Sequence, residues 1–242
     1  MLSNQLIPGP EFNKTIKEMA CPYEEWRLQS DRTMDERIKH IRFQKATAFP
    51  ESWTRVSTLR GDYPVRANWD KDSATLTIVS GADQIRCNEN MSCMFSGLAA
   101  LESIDASALY TGDADHALYT FFGNLSLHDL DLSSWDTRNL TSATSMLEFC
   151  PSLERVDVSG WDTGKLERAS YFVSGCTSLR EIDLSSWSER AAKSARGAVR
   201  GTASEMGENQ GLVGTKFIMP RHKDFVDRMV ERAVDRVAEF VR

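Results

Sequence analysis

The residues best suited to acid–base or metal chemistry are two histidines that stand near several aspartates. His116 and His128 lie within a few residues of Asp113, Asp115 and Asp129. Imidazole and carboxylate groups are common general acids, general bases and metal ligands. Their spacing matches no catalytic or metal-binding motif, so a solvated acidic patch is the preferred interpretation and a catalytic or metal site is the alternative. We therefore expect a protein that is not an enzyme and that needs no cofactor or metal.

A second set of carboxylates recurs at a fixed interval. Asp105, Asp131, Asp157 and Asp183 are each 26 residues apart, and an LxxLxL-like pattern begins at 101, 127, 153 and 179. A constant interval of this length indicates a repeat in which each unit contributes one short strand. Apolar residues alternate with the aspartate, so we expect the apolar side chains to point inward and the aspartates to face solvent.

Three segments resemble the BspA-like leucine-rich-repeat proteins of bacteria, whose repeats read roughly MFSGCSSLTSLDLSSWDTSNVT. These are residues 91–101, 130–141 and 174–187, within a region of resemblance from about residue 66 to residue 188. The resemblance implies a repeat scaffold preceded by a strand pair over 69–78, and its members are mostly surface proteins that act in adhesion and partner binding. The predicted fold is an α/β solenoid, a leucine-rich-repeat-like parallel β-solenoid with 26-residue turns and helical caps at both ends.

The segments on either side of the repeat are expected to cap it. We place a helical N-terminal cap at residues 1–59, with helix over 11–47, the repeat at 60–190, and a helical C-terminal cap at 191–242. In the last region, a helix follows Ser188, a short strand covers 216–219, and a helix over 224–241 has one apolar face. That helix is predicted to dock on the repeat, and the alternative is an oligomer or partner contact.

The acidic charge is concentrated in the middle of the chain. The formal net charge is −6, but residues 60–190 alone carry 10 basic and 20 acidic side chains. Between residues 88 and 162 there are twelve acidic and two basic side chains. Direct nucleic-acid binding needs clustered Lys and Arg, so this charge argues against it and favours a protein partner with a basic surface. No apolar run reaches the ~18 residues of a membrane span.

The cysteines and the N-terminus bear on location. Five cysteines without a CxxC pair predict reduced thiols, and Cys150 and Cys176, which are 26 residues apart, are expected to be buried and free. The first residues show no secretory signal pattern. A cytoplasmic location is the expectation, and an extracellular or cell-surface location is the alternative if a signal or anchor has been removed.

The sequence thus predicts a non-enzymatic protein-binding protein that uses exposed strand positions and the turns beside them. The candidate contact residues are Asp105, Asp129, Asp131, Asp136, Arg155, Asp157, Asp162, Glu181 and Asp183. Two alternatives are an acidic inhibitor of a nucleic-acid-handling machine, of the phage anti-defence type, and a shortened bacterial surface adhesin. A purely structural role competes with these, in which Ser133, Ser159 and Ser185 hydrogen-bond the aspartates locally.

Overall fold

The computed structural model describes residues 4–21, 35–58, 63–194 and 216–218. These ranges contain two helices and eleven short strands. In chain order they are α1 (Gly9–Ala20), β1 (His40–Lys45), β2 (Thr54–Arg55), β3 (Arg66–Asp70), β4 (Thr75–Ser80), β5 (Ile85–Arg86), β6 (Ser103–Asp105), β7 (Leu109–Tyr110), β8 (Asp129–Asp131), β9 (Arg155–Asp157), β10 (Glu181–Asp183), α2 (Glu189–Ser194) and β11 (Lys216–Ile218).

Helix α1 has the apolar stripe of a helix that packs on a core. Phe12, Ile16 and Ala20 recur every four residues and are buried. Pro10 lies in the first turn, where main-chain N–H groups have no partner within the helix. The N–H that proline lacks therefore costs the helix no hydrogen bond. Neither α1 nor α2 is long and apolar enough to cross a bilayer.

A five-stranded mixed sheet forms the N-terminal part of the described chain, in the order β2-β3-β4-β1-β6. Strand β3 is antiparallel to β2 and β4, whereas β1 is parallel to β4 and β6. In β1, Ile41 and Phe43 are buried while Arg42 and Gln44 are exposed, a period-two alternation that selects a strand. The predicted helix over 11–47 is therefore wrong at β1, whereas the strand pair predicted over 69–78 is confirmed as β3 and β4.

A four-stranded parallel sheet carries the later repeats, in the order β11-β10-β9-β8. Leu130 lies opposite Val156, and Asp131 lies opposite Asp157, so neighbouring strands are offset by one 26-residue repeat. Strands β5 and β7 form a separate two-stranded sheet. A further line of single parallel bridges, with the same offset, joins Asn90, His116, Ser142 and Arg168.

The predicted fold class is wrong. The described strands are divided among three small sheets, one of them mixed and none of them closed, so they do not form a parallel β-solenoid with helical caps at both ends. The physical reason is that the repeat strands are only two or three residues long and that β6 pairs with β1 of the N-terminal segment. At the other end, α2 has six residues, β11 extends the parallel sheet, and the predicted helix over 224–241 lies outside the described residues.

The core of the repeats consists of stacked apolar side chains. The indole rings of Trp161 and Trp187 are nearly parallel, with centroids 6.3 Å apart, and Nε1 of Trp161 donates a hydrogen bond to the carbonyl of Leu132 at 3.1 Å. Cys150 and Cys176 are buried and free, which confirms the expectation for these two thiols. Each Sγ donates to a main-chain carbonyl at 3.1 Å, so both thiols have a structural role inside the repeat.

Candidate functional site

The solvent side of the short strands carries most of the predicted contact residues. In β8, β9 and β10 the middle side chain is buried and the outer two are exposed, because side chains alternate along a strand. Strand β6 also exposes its last residue. We call the resulting set the acidic strand face; it consists of Asp105, Asp129, Asp131, Arg155, Asp157, Glu181 and Asp183.

Four carboxylates of the acidic strand face are held by main-chain hydrogen bonds. Oδ1 of Asp131 accepts from the N–H of Ser133 at 2.9 Å and from its hydroxyl at 2.6 Å. Asp105, Asp157 and Asp183 accept the same main-chain bond from the serine two residues later, at 3.1, 2.9 and 2.8 Å. The predicted local hydrogen bonding is therefore confirmed, and it fixes the direction in which each carboxylate points.

These hydrogen bonds also favour the charged form of the carboxylates. The Ser133 hydroxyl, followed by the Ser133 N–H, lowers the pKa of Asp131, and Ser107 lowers the pKa of Asp105 in the same way. A donor aimed at a carboxylate stabilises the ionised form more than the neutral form. Both side chains are therefore negatively charged at neutral pH.

The acidic strand face contains one ion pair that crosses between strands. Nη2 of Arg155 lies 2.6 Å from Oδ1 of Asp129, and their side chains are 71% and 54% exposed. An ion pair this exposed contributes only ~0–1 kcal/mol to stability. Within the described ranges, Asp131 and Asp157 make no ion pair, so their charges are available to a partner.

Two predicted contact residues lie apart from this face, in the turns that follow β8 and β9. The side chain of Asp136 is only 19% exposed, and its Oδ1 lies 2.8 Å from Nε of Arg138. Burial raises the pKa of Asp136, but the hydrogen bonds and charge of Arg138 outweigh this effect and the pKa is lowered overall. Asp162 is exposed and accepts a hydrogen bond from the N–H of Gly164 at 2.9 Å. Both residues therefore lie in turns, outside the strand positions that make up the acidic strand face.

The two histidines lie in different parts of the repeat. Nδ1 of His116 lies 2.5 Å from Oδ1 of Asp115, and His116 belongs to the line of single parallel bridges. His128 precedes β8, where its carbonyl accepts hydrogen bonds from Glu154 and Arg155. In the part of the chain that the structure describes, no group of three or more His, Cys, Asp or Glu side chains is placed to hold a metal ion.

An exposed group of aromatic residues was missed by the sequence reasoning. The ring of Phe122 makes edge contacts with those of Tyr119 and Phe149, with centroids 5.6 Å apart in each pair. Tyr171 is exposed in the next equivalent turn. We call Tyr119, Phe122, Phe149 and Tyr171 the aromatic turn group. The signal was present in the aligned repeat, where Phe149 stands at a position that the other three repeats fill with glycine.

Residues 89–209, half of the chain, match a family described as "Mycoplasma protein of unknown function, DUF285". The chain belongs to the DUF285 family. No curated protein and no solved structure matches this sequence. The whole acidic strand face and the whole aromatic turn group thus lie in the DUF285 segment.

The DUF285 match corrects the predicted membership of the BspA-like leucine-rich-repeat family, which is wrong. The two families are not established as the same. The physical reason for the misassignment is that Leu, Ser, Trp and Asp at regular spacing satisfy general needs of short strands and tight turns. A pattern built from those needs indicates strands and turns more reliably than it indicates a family.

Proposed function

We propose that this DUF285 protein binds another protein without catalysing a reaction, and that its acidic strand face contacts a basic surface of that partner. The observation that carries this proposal is the row of aspartates on β8, β9 and β10, formed by Asp131, Asp157 and Asp183, together with Asp105 on β6 of the mixed sheet. Each carboxylate is fixed by a main-chain N–H two residues later. A side chain that is already ordered loses less conformational entropy on binding.

The charge around this row supports a basic partner. Twelve acidic and two basic side chains lie between residues 88 and 162. Like charges ~5 Å apart in water repel by about 0.8 kcal/mol, and cations of a partner would relieve that repulsion. Complementary charge also speeds association and selects among partners.

The Asp129–Arg155 ion pair places one positive charge among the negative charges of the acidic strand face. Arg155 is the one basic residue in the acidic strand face, and it lies in β9, between β8 and β10. A partner with basic side chains would fit the aspartates on both sides and would meet a like charge at Arg155. Like-charge contacts of this kind exclude wrong partners and fix register.

The test uses variants that remove charge while keeping the hydrogen-bond acceptor. Asp131→Asn and Asp157→Asn are combined, because the amide oxygen still accepts the serine N–H. The matched control is Glu51→Gln with Asp72→Asn, two exposed acidic residues outside the acidic strand face. Binding is measured against a panel of purified basic, neutral and acidic proteins.

The chain should bind basic members of the panel, and the Asp131/Asp157 variant should lose about tenfold in affinity, or about 1.4 kcal/mol. The Glu51/Asp72 variant should bind as the unmodified chain does. Equal affinity for both variants would contradict the proposed function. If DNA competes with the chain for the same partner, the alternative function is favoured, in which the protein is an acidic inhibitor of a nucleic-acid-handling machine.

A further inference from the structure

Phe149 adopts a backbone conformation that favours glycine. Its φ is 59°, and Gly97, Gly123 and Gly175, which occupy the same place in the other repeats, have φ of 64°, 72° and 75°. For a residue as bulky as phenylalanine this left-handed conformation is sterically unfavourable. Glycine would fit without strain, so the aromatic ring is present at a cost to the fold. Strain of this kind is concentrated at binding surfaces and active sites.

Burial does not account for the ring of Phe149, since the residue is 54% exposed. A Cβ on Gly175 would lie 3.0 Å from Cδ1 of Phe149, so the glycine makes room for the ring above it. Tyr119 and Tyr171 are each 40% exposed and have left-handed φ values of 57° and 60°, as Cys93 and Ser145 do at the same place in the other repeats. That conformation therefore belongs to the repeat, and Phe149 is the aromatic residue that stands where the other repeats have glycine.

The charge of the sequence segment that carries three of these four aromatic residues favours a cationic occupant. Tyr119, Phe122 and Phe149 all lie within the segment of twelve acidic and two basic residues. The faces of aromatic rings attract Arg and Lys, and nearby carboxylates add to that attraction. Phe122 meets its two neighbours edge-on, at 80° and 86°, so these rings do not form the flat platform on which a sugar ring would stack.

The aromatic turn group and the acidic strand face are close along the chain. Phe149 and Arg155, the first residue of β9, are six residues apart. An extended chain spans at most about 3.6 Å per residue, so their Cα atoms are within about 22 Å of each other. A standard protein–protein interface involves about 20–30 residues a side. A partner of ordinary size can therefore span the distance between Phe149 and Arg155.

We propose that the aromatic turn group is a docking surface for a basic polypeptide segment that also carries large apolar side chains. Leucine or tryptophan side chains of the segment pack against Phe122 and Phe149, and its arginines contact the tyrosine rings and the neighbouring carboxylates. This inference rests on the proposed protein-binding function and names the chemistry of the partner.

The experiment compares three short synthetic peptides as probes for the full chain and its variants. The first combines Arg with Leu and Trp, the second combines Arg with Ser, and the third combines Glu with Leu and Trp. The variants are Phe149→Gly and Phe149→Ala, with Tyr63→Ala as the control because Tyr63 is 52% exposed and lies outside the group. Thermal unfolding of each variant shows whether it is folded.

The Arg/Leu/Trp peptide should bind about tenfold tighter than either other peptide. Phe149→Gly and Phe149→Ala should remove that advantage, leave binding of the Arg/Ser peptide unchanged and remain folded, and Tyr63→Ala should have no effect. The inference would be overturned if Phe149→Gly bound the Arg/Leu/Trp peptide as tightly as the unmodified chain does. It would also be overturned if the chain preferred an oligosaccharide to this peptide, or if Phe149 were needed for the chain to self-associate.

The Asp131/Asp157 variant separates this inference from the proposed function. If only that variant loses the Arg/Ser peptide, the acidic strand face binds and the aromatic docking surface is wrong. If only the Phe149 variants lose the Arg/Leu/Trp peptide, the docking surface stands and the role of the acidic strand face is wrong.

Discussion

Asp131 and Asp157 lie opposite each other on β8 and β9, and each accepts a hydrogen bond from the N–H of a serine two residues later, at 2.9 Å in both cases. Neighbouring strands are ~4.8 Å apart, so two like charges are held side by side. A hydrogen bond to a charged group contributes ~1.5–3 kcal/mol, which exceeds the repulsion of about 0.8 kcal/mol expected in water. Local hydrogen bonding therefore maintains a row of negative charge that would otherwise be unfavourable.

The first prediction concerns the stability of the uncharged row. Asp131→Asn with Asp157→Asn should lower the free energy of unfolding by about 1 kcal/mol at low salt, because hydrogen bonds to neutral amides are weaker than those to carboxylates by more than the relieved repulsion. The loss should grow at high salt, where screening relieves the repulsion in the unmodified chain as well. Urea unfolding at two salt concentrations measures the loss, and a variant more stable than the unmodified chain would show that repulsion outweighs the hydrogen bonds.

The second prediction concerns the pKa of Asp131. The folded pKa is lowered, first by the Ser133 hydroxyl, so this group stabilises the fold above its unfolded pKa and the contribution disappears as pH falls through the folded pKa. Ser133→Ala should raise the pKa of Asp131 part of the way to its ordinary value, because the main-chain donor is kept. Titration of the carboxyl carbon by NMR measures this shift. The control is Ser134→Ala, an exposed neighbour, and equal effects of the two substitutions would contradict the assignment.

The third prediction concerns strain at Phe149. Phe149→Gly should leave the free energy of unfolding unchanged or raise it by about 1 kcal/mol, because relief of the left-handed conformation offsets the loss of a half-exposed ring. Gly175→Ala should lower it by about 1–2 kcal/mol, since φ is 75° and the new Cβ would lie 3.0 Å from Phe149 Cδ1. Thermal unfolding of the variant that combines Phe149→Gly with Gly175→Ala should show that part of this stability is recovered. If no stability is recovered, the contact between the new Cβ and Phe149 does not destabilise the fold.

The fourth prediction concerns the cysteine thiols. Burial raises the pKa of Cys87 to about 12, and the pKa of Cys176 is raised by its hydrogen bond with Cys150 and then by burial. Thiolate is the reactive form, so Cys87 and Cys176 should be labelled only when the chain unfolds. Cys150 should behave in the same way because it is buried. Cys93 is half-buried and should be labelled first. Mass spectrometry after timed labelling measures the order, and rapid native labelling of Cys150 or Cys176 would contradict this burial.

The sequence predicts the local features of the repeat correctly because those features depend on side chains close in the chain. The alternation of Asp129, Leu130 and Asp131 indicates a strand with one buried residue, and the structure has that pattern. The 26-residue interval between Asp131 and Asp157 indicates the register of β8 and β9, which is also observed. The serines after the aspartates indicate the local hydrogen bonds.

The parts that could not be predicted depend on pairing between distant segments. Ile38 and Ile41 have a helical spacing, whereas Ile41 and Phe43 have a strand spacing, and pairing of β1 with β4 and β6 decides for the strand. The same pairing places β6 in the mixed sheet, whereas the repeat interval predicts that β6 belongs to one sheet with β8, β9 and β10. Sequence spacing alone does not carry this information.

At the site, sequence spacing does not reveal a local ion pair or an unusual backbone conformation. Asp136 and Asp162 occupy the same place in successive repeats, yet within the described residues only Asp136 of the two forms an ion pair with an arginine, Arg138. Phe149 carries no charged or nucleophilic group, so a pattern of such groups does not single it out. A non-glycine residue at a glycine position of the repeat was the available signal.

Backbone amide chemical shifts, recorded while a basic member of the protein panel is titrated into the labelled chain, test the central claim most directly. The account predicts that the largest shifts occur in β8, β9 and β10 and at Ser133 and Ser159, whose N–H groups hold Asp131 and Asp157. The shifts should be lost in the Asp131/Asp157 asparagine variant. Shifts concentrated in β2, β3 and β4, with β8 to β10 unaffected, would contradict the account.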